Sequence, residues 1–394
     1  MSQKRDPGDG RTYDVIVFGA TGFTGGKTAE YLAQNAPAGL KWAIAGRSAA
    51  KLEAVKARLS ARHPGCANLG VVEASVDDPA SLSKMTASTR VVLTTVGPFI
   101  DYGELLVKAC VEQGTDYVDS TGEPNFVNLL LARYAEPAAR AGVRLVPSCG
   151  FDSIPADLGA LYTLKHLPAG APVRMSGYLE LKATFSGGTE QSAIKSLAPP
   201  AHREKPARRV PSSGRKVKLV TDKVRHLPDL GGWSAPLPTI DGSVVIRSAT
   251  SLDRYGPDFS YSHNAIHASL FILWAAAWVF GSLALFVRVA FLRNILLRMV
   301  KKSGEGPSDE QIAKSWFKIR FIAESGGKTV QTEVAGGDPG YGETSKMLAE
   351  SAMCLALDSA SLPAGGGVLT PAEAMGDVLL ARLERAGLRF SVIS

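Results

Sequence analysis

The sequence predicts an α/β protein with a doubly wound domain built on a parallel sheet, followed by a second mixed α/β domain that carries an apolar helical segment. Between residues 12 and 166, short apolar segments alternate with segments of helical length, as they do in βαβ units. The apolar segments, such as residues 15–18, are nearly continuous, which is typical of strands covered by helices on both faces. A chain of 394 residues is long enough for two such domains.

The first domain is expected to contain strands and helices in strict alternation. The strands are predicted at residues 15–18, 42–45, 69–72, 91–94, 117–118 and 143–146. The helices are predicted at residues 23–34, 49–59, 79–85, 103–113, 125–141 and 154–166. Residues 1–11 are polar and are expected to form a mobile tail.

The composition changes beyond the first domain. We predict a second domain at 167–340, with an irregular basic insert at 199–242 and an apolar helical segment at 265–302, and then C-terminal helices at 341–394 that pack back on the core. Strands are predicted at 174–184, 316–323 and 328–335, and helices from Thr189, at 341–357 and at 371–385. Thr370 and Glu373 have the spacing of a capping box, which marks the start of the last helix.

The net charge of +7 has a local origin. Nine of the 44 basic residues and two acidic residues lie between positions 203 and 225, and five basic residues with no acidic one lie between 288 and 302. These two segments have net charges of +7 and +5, so the rest of the chain has a net charge of −5. This distribution argues against nucleic-acid binding, for which a basic face on the folded domain is typical.

The cysteines lie far apart in the sequence and form no C-x-x-C pair. They are Cys66, Cys110, Cys149 and Cys354. Their pattern predicts neither a metal site nor a disulfide framework, and it fits a reducing compartment. The N-terminal segment lacks the apolar core of a secretory signal. We therefore expect a cytoplasmic protein that binds no metal ion.

A glycine-rich loop joins the first strand to the first helix. In its G-x-x-G-x-x-G pattern, Gly19 permits a tight turn, Gly22 leaves room for a pyrophosphate, and Gly25 lets the helix lie close to the strand. The N–H groups at the start of the helix would face the phosphate charge. This predicts a dinucleotide site in a Rossmann domain; the alternative is a turn whose glycines serve packing alone. The other loop residues expected in the site are Thr21, Phe23 and Thr24.

The end of the second strand indicates which dinucleotide binds. NAD-specific sites usually place Asp or Glu there to bond the ribose 2′-hydroxyl, and that carboxylate would repel a 2′-phosphate. This chain has Arg47 and Ser48 instead, so the predicted cofactor is NADP(H). The alternative is a surface arginine that merely follows a strand.

Two further loops are expected to contribute to the cofactor site. Asp77, with Asp78, follows the third strand, where it would border the adenine pocket or cap the next helix. Val96, Gly97 and Pro98 follow the fourth strand. Because open α/β sheets bind ligands at the carboxyl ends of their strands, we expect the backbone of these three residues to approach the nicotinamide half.

Five motifs occur together in an order that resembles a known family. They are GATGFTG at 19–25, AGRS at 45–48, TTVGPF at 94–99, YVDSTGE at 117–123 and CGFDSIPAD at 149–157, and the C-terminal segment 367–382 is similar as well. The chain resembles the saccharopine dehydrogenase-like oxidoreductases, in particular the bacterial trans-acting enoyl reductases of lipid and polyketide assembly. The resemblance implies an NADP-binding Rossmann domain, a second mixed α/β domain and reduction of a carbon–carbon double bond in a polyketide or fatty-acyl chain.

The candidate catalytic residues follow strands at the carboxyl edge of the predicted sheet: Tyr102, Asp119 and Asp152. Enoyl reduction requires a hydride at the β-carbon, polarisation of the thioester carbonyl and a proton for the α-carbon. The phenol of Tyr102 would donate to a developing enolate, unless it is a loop side chain in solvent. Asp119 would transfer protons or bond the ribose, or else hold loop N–H groups. Asp152 precedes a helix for which Ser153 is the expected N-cap.

The uncharged segment at 268–287 carries a membrane signal. As a helix it would be about 30 Å long at roughly 1.5 Å per residue, close to the hydrocarbon thickness of a bilayer. It contains Trp274 and Trp278, and the basic run follows it. A single crossing would separate segments that look like parts of one fold, so we expect residues 268–302 to enter one leaflet and bind anionic headgroups. The alternative is a helix buried in a homodimer interface or under the acyl pocket.

Together these features predict an NADPH-dependent oxidoreductase, a trans-acting enoyl reductase for an acyl or polyketide substrate, free or carrier-bound, at the inner face of the plasma membrane. Two alternatives stay open: a saccharopine-type amino-acid dehydrogenase and a non-catalytic, lipid-associated NADPH-binding protein. The substrate pocket distinguishes them. An apolar tunnel favours the first, an Arg-lined polar pocket the second, and a blocked nicotinamide face the third.

Overall fold

The computed structural model describes residues 10–183, 214–288 and 308–394. Strands and helices alternate over its first part. The strands are β1 (Tyr13–Phe18), β2 (Trp42–Gly46), β3 (Gly70–Glu73), β4 (Thr89–Thr94), β5 (Asp116–Asp119) and β6 (Arg144–Val146). The helices are α1 (Phe23–Asn35), α2 (Ala49–Arg62), α3 (Pro79–Ala87), α4 (Phe99–Tyr102), α5 (Glu104–Gln113), α6 (Pro124–Ala141) and α7 (Ile154–Leu164). The predicted strands and helices of this region are confirmed, with small differences at their ends and one additional short helix, α4.

The rest of the described chain contains more strands than the sequence predicts. They are β7 (Val173–Lys182), β8 (Lys216–Leu219), β9 (Arg225–Leu227), β10 (Gly232–Pro236), β11 (Asp258–His267), β12 (Trp316–Ser325), β13 (Lys328–Gly336), β14 (Gly367–Val368) and β15 (Arg389–Val392). The helices are α8 (Asp241–Ser251), α9 (Leu270–Arg288), α10 (Asp309–Ala313), α11 (Gly342–Leu357), α12 (Pro371–Ala374) and α13 (Gly376–Arg385).

The first sheet is parallel throughout and has, in the described residues, the strand order β14-β6-β5-β4-β1-β2-β3. The order reverses between β1 and β4, as in a doubly wound fold, so the ligand crevice is expected at the carboxyl ends of these two strands. This is the predicted Rossmann sheet. The sequence did not predict that β14, from the C-terminal part of the chain, would extend it at the edge beside β6.

Both faces of the first sheet are covered, which explains the unbroken apolar run of β1. Val15 and Val17 point into one hydrophobic core, Ile16 and Phe18 point into another, and all four side chains are buried. Helix α11 is buried over most of its length and packs on α1 and on β1, β4 and β5. A strand that buries both of its faces needs apolar residues at consecutive positions.

The second sheet is mixed and has, in the described residues, the order β15-β13-β12-β7-β11-β10-β9, with β8 paired to β11. Strand β7 runs parallel to β11 and antiparallel to β12. Helix α7 connects the two sheets: it follows β6 in the chain and packs on β12 and β13. The packing is close, because a Cβ on Gly159 would lie 2.4 Å from the ring of Phe321. The loop before α7, which contains Asp152, is therefore held at the junction of the two sheets.

The prediction of an irregular basic insert at 199–242 is wrong for the part that the structure describes. Residues 214–242 contain β8, β9, β10 and the start of α8. Strands β8 and β9 are short and largely exposed, so they lack the apolar periodicity by which a strand is recognised in a sequence. Residues 199–213 and the short helix predicted from Thr189 lie outside the described residues.

The ends of the chain also differ from the predictions. The helix expected at 371–385 is divided into α12 and α13, and Gly376 at the break has a φ of 46°. The predicted capping box is present, with the Glu373 N–H donating to Thr370 Oγ1 at 3.1 Å. In the tail expected to be mobile, Arg11 is anchored because its guanidinium donates to Thr115 Oγ1 at 2.6 Å.

The apolar segment forms α9, which begins three residues after β11 ends at His267. Several of its large side chains are exposed: Phe271 is 81% exposed, Trp274 67% and Trp278 78%. No helix among the described residues is both long enough and apolar enough to cross a membrane. The basic residues at 289–302 lie outside the described part of the chain.

Candidate active site

The glycine-rich loop has the geometry that its spacing predicts. Gly19 has a φ of 96°, and a Cβ there would lie 2.9 Å from Thr95 Oγ1. A Cβ on Gly25 would lie 2.2 Å from the carbonyl oxygen of Gly19, so only glycine lets α1 lie this close to the loop. A Cβ on Gly22 would meet the same oxygen at 3.3 Å and no other atom of the described residues within 4 Å. Gly22 thus borders open space, as a phosphate contact requires.

The N-terminus of α1 is available to an anion. No side chain in the described part of the chain caps it, and no acidic residue lies in its first turn. Its partial positive charge is therefore not neutralised locally, which favours a bound phosphate. Thr21 is exposed and Thr24 half-buried beside it, whereas the ring of Phe23 packs edge-on against Tyr341 at 4.8 Å between centroids. These features fit a dinucleotide pyrophosphate; the individual contacts of these side chains stay predictions.

Arg47 and Ser48 lie at the carboxyl end of β2 with different surroundings. Arg47 is exposed, and no described residue makes a hydrogen bond or ion pair with its guanidinium. Ser48 is the N-cap of α2, and its Oγ accepts the Lys51 N–H at 3.4 Å. Arg47 therefore has no partner among the described residues, and it lies where a 2′-phosphate is expected. Ser48 has a structural role that the sequence did not predict.

Asp77 and Asp78 also differ in their hydrogen-bond partners. Asp78 is the N-cap of α3 and accepts the N–H groups of Ala80 and Ser81. Asp77 is exposed, and its side chain has no hydrogen-bond partner among the described residues. The capping interpretation is correct for Asp78, and Asp77 stays a predicted neighbour of the adenine.

A residue of the neighbouring loop fixes the loop after β4 in place. Val96 is half-buried, Gly97 is exposed, and the peptide between Gly97 and Pro98 is cis. The carboxylate of Glu123, after β5, accepts the backbone N–H groups that follow Pro98. Glu123 is thus a positioning residue, and it leaves the Gly97 backbone exposed at the crevice between β1 and β4.

Asp119 is not a group that can contact a substrate. It is fully buried, and its oxygens accept hydrogen bonds from Tyr117 Oη at 2.6 Å and from the N–H groups of Thr121 and Ser148 at 2.8 Å. Burial raises its pKa to about 6, against the effect of these hydrogen bonds. The expected catalytic role of Asp119 is therefore replaced by a structural one: it joins the ends of β5 and β6.

Tyr102 is the last residue of α4 and is 42% exposed. Its hydroxyl has no hydrogen-bond partner among the described residues. This is the solvent-exposed loop tyrosine that the sequence left as the alternative. No hydrogen bond from the described residues orients the phenol, so a catalytic role for Tyr102 stays a prediction.

Asp152 has the surroundings of a reactive carboxyl. Its side chain is exposed to solvent, and a Cβ on Gly122 would lie 2.8 Å from its Oδ2, so the carboxyl rests on the loop after β5. The surrounding protein displaces part of the water around the carboxyl, and the nearby Asp241 carboxylate repels its charge; both effects raise its pKa. Ser153 does not cap the helix, because its hydroxyl donates to the Asp152 carbonyl oxygen at 2.7 Å.

The second sheet brings residues to Asp152 that the sequence analysis missed. Asp241 begins α8 and is 5% exposed, and burial raises its pKa to about 7. His263, on β11, has its Nε2 3.8 Å from Asp241 Oδ2 and its Nδ1 2.9 Å from the hydroxyl of Tyr261. Burial lowers the His263 pKa to about 4. The period-two pattern of Phe259, Tyr261 and His263 was the available signal for a strand with this histidine on its buried face.

Comparison with known proteins agrees with this geometry. The family model described as the saccharopine dehydrogenase NADP binding domain matches residues 15–146. This range contains the glycine-rich loop, Arg47 and the loop after β4. The chain therefore has an NADP-binding domain, and the open α1 N-terminus and the free Arg47 are what NADP(H) requires of it.

Relatives are similar over nearly the whole chain. A Mycobacterium tuberculosis protein, provisionally named a trans-acting enoyl reductase, is 36% identical over 96% of this chain and 97% of its own length. The saccharopine dehydrogenase-like oxidoreductase of Mus musculus is 34% identical over 98% of each chain. The apo saccharopine dehydrogenase (L-Glu forming) of Saccharomyces cerevisiae, at 14% identity, shares the fold with a TM-score of 0.58 over 97% of this chain and 100% of its own. The chain belongs to the saccharopine dehydrogenase-like family of NADP-binding oxidoreductases.

Proposed function

We propose that this oxidoreductase is a trans-acting enoyl reductase that reduces the carbon–carbon double bond of a polyketide or fatty-acyl thioester with NADPH. When bound, NADPH supplies the hydride for the β-carbon. The chain's own residues hold the cofactor through the glycine-rich loop and Arg47. The loops that contain Gly97, Gly122 and Asp152 border the crevice expected at the carboxyl ends of the strands, and we call this region the cleft. Gly97 and Asp152 are exposed, so this cleft is open to a reacting molecule, which supports turnover over cofactor binding alone.

The observation that carries the proposal is the charge of the cleft. The negative charge of Asp241 disfavours ionisation of Asp152, and no lysine or arginine among the described residues lowers the pKa of either carboxyl. An amino-acid substrate of the saccharopine type carries carboxylates, which need a cation in the pocket. The reacting end of an enoyl thioester is uncharged. The described part of the cleft therefore favours the thioester over the amino acid.

The exposed face of α9 supports a lipid-linked substrate. The rings of Phe271, Trp274 and Trp278 are all more than half exposed, and large exposed apolar patches usually mark an interaction site. The sequence from 288 to 302 adds five basic residues and no acidic one. Tryptophan side chains beside a basic run suit the surface of an anionic bilayer. We therefore place the enzyme peripherally on the cytoplasmic face of the plasma membrane, with α9 in one leaflet.

The reaction is tested by NADPH oxidation with a panel of 2-enoyl thioesters of increasing chain length, presented on coenzyme A and on an acyl carrier protein. Glutamate with an amino-acid semialdehyde serves as the competing substrate pair. Reduction of the thioesters with formation of the saturated product supports the proposal. Oxidation of NADPH with the amino-acid pair alone would show that the saccharopine-type alternative is correct. No oxidation of NADPH with any of the substrates would favour a non-catalytic role.

Membrane binding is tested separately by flotation with vesicles of phosphatidylglycerol and phosphatidylcholine, compared with phosphatidylcholine alone. We expect binding to the anionic vesicles, reduced at least tenfold when Trp274 and Trp278 are both replaced by Ser. Trp316 is 41% exposed on β12, so Trp316→Ser is the matched control and should bind normally. Equal binding by the double variant would refute the assignment, as would a stable homodimer that shields both indoles.

A further inference from the structure

A groove of about 300 Å³ lies between α1 and α2 and opens beside the glycine-rich loop. The loop, α1 and α2 all contribute to its walls. The residues that line it include Thr21, Gly22, Gly26, Glu30, Arg58 and Arg62. We call this cavity the α1–α2 groove. Because Thr21 and Gly22 belong to the glycine-rich loop, the groove begins where the dinucleotide pyrophosphate is expected.

The α1–α2 groove has an excess of positive charge. Among the described residues, Lys27, Arg58 and Arg62 line it together with one acidic residue, Glu30. The carboxylate of Glu30 lies 2.8 Å from Arg62 Nη1 and 3.8 Å from Lys27 Nζ. Arg58 is exposed, and no described residue makes a hydrogen bond or ion pair with its guanidinium. The charge of Arg58 is therefore available to an anion that enters the groove.

The guanidinium of Arg58 lies over the first turn of α1. Its Nη2 is 3.5 Å from the position of a Cβ on Gly26, and the carbonyl oxygen of Ala20 is 3.5 Å from the same position. No acidic residue lies in this turn, and a positive charge beside the partly positive N-terminus of a helix is unfavourable. A phosphate bound here would remove the repulsion, because it attracts both the helix N-terminus and the guanidinium.

Thr21 links the groove to the end of β2. Its Oγ1 lies 3.9 Å from the position of a Cβ on Gly46, which is the residue before Arg47. In a Rossmann domain, the adenosine ribose lies at the end of the second strand, where its 2′-hydroxyl contacts the protein. A phosphate on that hydroxyl is therefore expected next to Thr21, at the mouth of the α1–α2 groove.

We propose that the α1–α2 groove forms part of the 2′-phosphate site of NADP(H), and that Arg58 of α2 binds this phosphate together with Arg47. The inference depends on the NADP-binding domain and not on the enoyl reduction proposed above. A phosphate monoester carries nearly two negative charges at neutral pH, and a guanidinium matches its oxygens with paired N–H groups. NADH has a hydroxyl at this position, so Arg58 distinguishes between the two cofactors.

The experiment measures ligand affinities by isothermal titration calorimetry, with NADPH, NADH, adenosine 2′,5′-bisphosphate and adenosine 5′-phosphate as ligands. The proteins are the wild type, Arg58→Ala, Arg47→Ala and the double variant. Arg58→Ala should weaken the binding of NADPH and of the bisphosphate about 10- to 100-fold, as expected for the loss of a hydrogen bond between charged groups. Its affinities for NADH and adenosine 5′-phosphate should stay unchanged. The double variant should bind the bisphosphate more weakly than either single variant.

Lys56→Ala is the matched control because it removes the same charge from the same helix. Lys56 lies two residues from Arg58, about 200° around the helix, and does not line the groove. It should bind all four ligands like the wild type. Without ligand, Arg58→Ala should unfold at the wild-type temperature, since Arg58 makes no hydrogen bond or ion pair with a described residue. A lower affinity would then report a lost contact and not a damaged fold.

Unchanged affinity of Arg58→Ala for adenosine 2′,5′-bisphosphate would overturn the inference. An equal loss for adenosine 5′-phosphate would overturn it as well, because Arg58 would then act on another part of the nucleotide. The same holds if Lys56→Ala weakens bisphosphate binding as much as Arg58→Ala does, since the effect would then come from net charge. None of these measurements uses a thioester, so a protein that reduces no enoyl thioester would contradict only the proposed function.

Discussion

Glu123 accepts a hydrogen bond from the backbone N–H of Phe99 at 3.0 Å. Its second oxygen accepts the Ile100 N–H at 2.9 Å, and the residue is 3% exposed. Because Phe99 and Ile100 directly follow the Gly97–Pro98 peptide, one carboxylate fixes the loop after β4 against the loop after β5. Both loops border the crevice in which the nicotinamide is expected, so the shape of that crevice depends on a residue that need not contact the cofactor.

Replacing Glu123 by Gln should weaken this link. The amide keeps the size of the side chain. Its NH2 group, however, faces a backbone N–H group and cannot accept a hydrogen bond from it. We expect a loss of about 1–3 kcal/mol of unfolding free energy and several-fold weaker NADPH binding. Urea unfolding and a fluorescence titration with NADPH measure the two effects. Glu53→Gln, at an exposed position of α2, is the control, and an unfolding midpoint of Glu123→Gln equal to the wild type would show that the link is dispensable.

The glycine-rich loop allows a test that separates folding from cofactor contact. Gly25→Ala should destabilise the protein and abolish NADPH binding, because its Cβ would lie 2.2 Å from the Gly19 carbonyl oxygen. Gly22→Ala should leave thermal stability near the wild type, since its Cβ meets only that oxygen at 3.3 Å. It should still weaken NADPH binding at least tenfold, because the methyl group enters the space assigned to the pyrophosphate. NADPH affinity unchanged in Gly22→Ala would place the phosphates elsewhere.

The first sheet could be predicted because its signals are local. Each strand of the βαβ units contains an apolar run, and Gly19 and Gly25 mark the first turn by spacing alone. The second sheet could not be predicted to the same extent. Strands β8, β9 and β15 have mostly exposed side chains, so burial leaves little pattern in them. Strand β14 has two residues and exists only because it pairs with β6.

The candidate site likewise contains residues that local sequence signals revealed and residues that only tertiary packing brings together. Residues of the cofactor loops were found because each loop follows a strand in the sequence. Asp241 and His263 were missed because they are brought to this region by the packing of α8 on α7 and of β11 on α8, which no local sequence pattern records. Asp119 was assigned a catalytic role because it directly follows a strand. The sequence does not show that its carboxylate already accepts three hydrogen bonds in the folded protein.

Arg47 should determine the cofactor preference. It is exposed and unpaired among the described residues, so its charge is free for a 2′-phosphate, and a hydrogen bond to a charged group is worth about 1.5–3 kcal/mol. Arg47→Ala should weaken NADPH binding about 10- to 100-fold on that basis and leave NADH binding unchanged. Arg47→Asp should reverse the preference. Lys41→Ala, before the opposite end of β2, is the control. Tighter NADH than NADPH binding by the wild type would exclude this role.

Asp157 should make stability depend on pH near neutrality. It is fully buried, and it accepts hydrogen bonds from Ser248 Oγ and, at 2.8 Å, from the Ala372 N–H. Burial raises its pKa to about 7 despite these bonds. Its unfolded pKa is near 4, so between these values the folded state binds more protons than the unfolded chain. The stability that this group contributes is therefore complete below about pH 4 and is lost as the pH rises through about 7.

In Asp157→Asn this dependence should disappear. The variant loses part of one hydrogen bond at every pH, but its unfolding free energy relative to the wild type should rise from pH 5 to about pH 7 and level off above it. Asp119, Asp152 and Asp241 titrate in the same range in both proteins, so their contributions cancel in the difference. Urea midpoints at each pH measure it, with Asp229→Asn as the exposed control. Parallel curves for Asp157→Asn and the wild type would mean that Asp157 is ionised in the folded protein throughout this range.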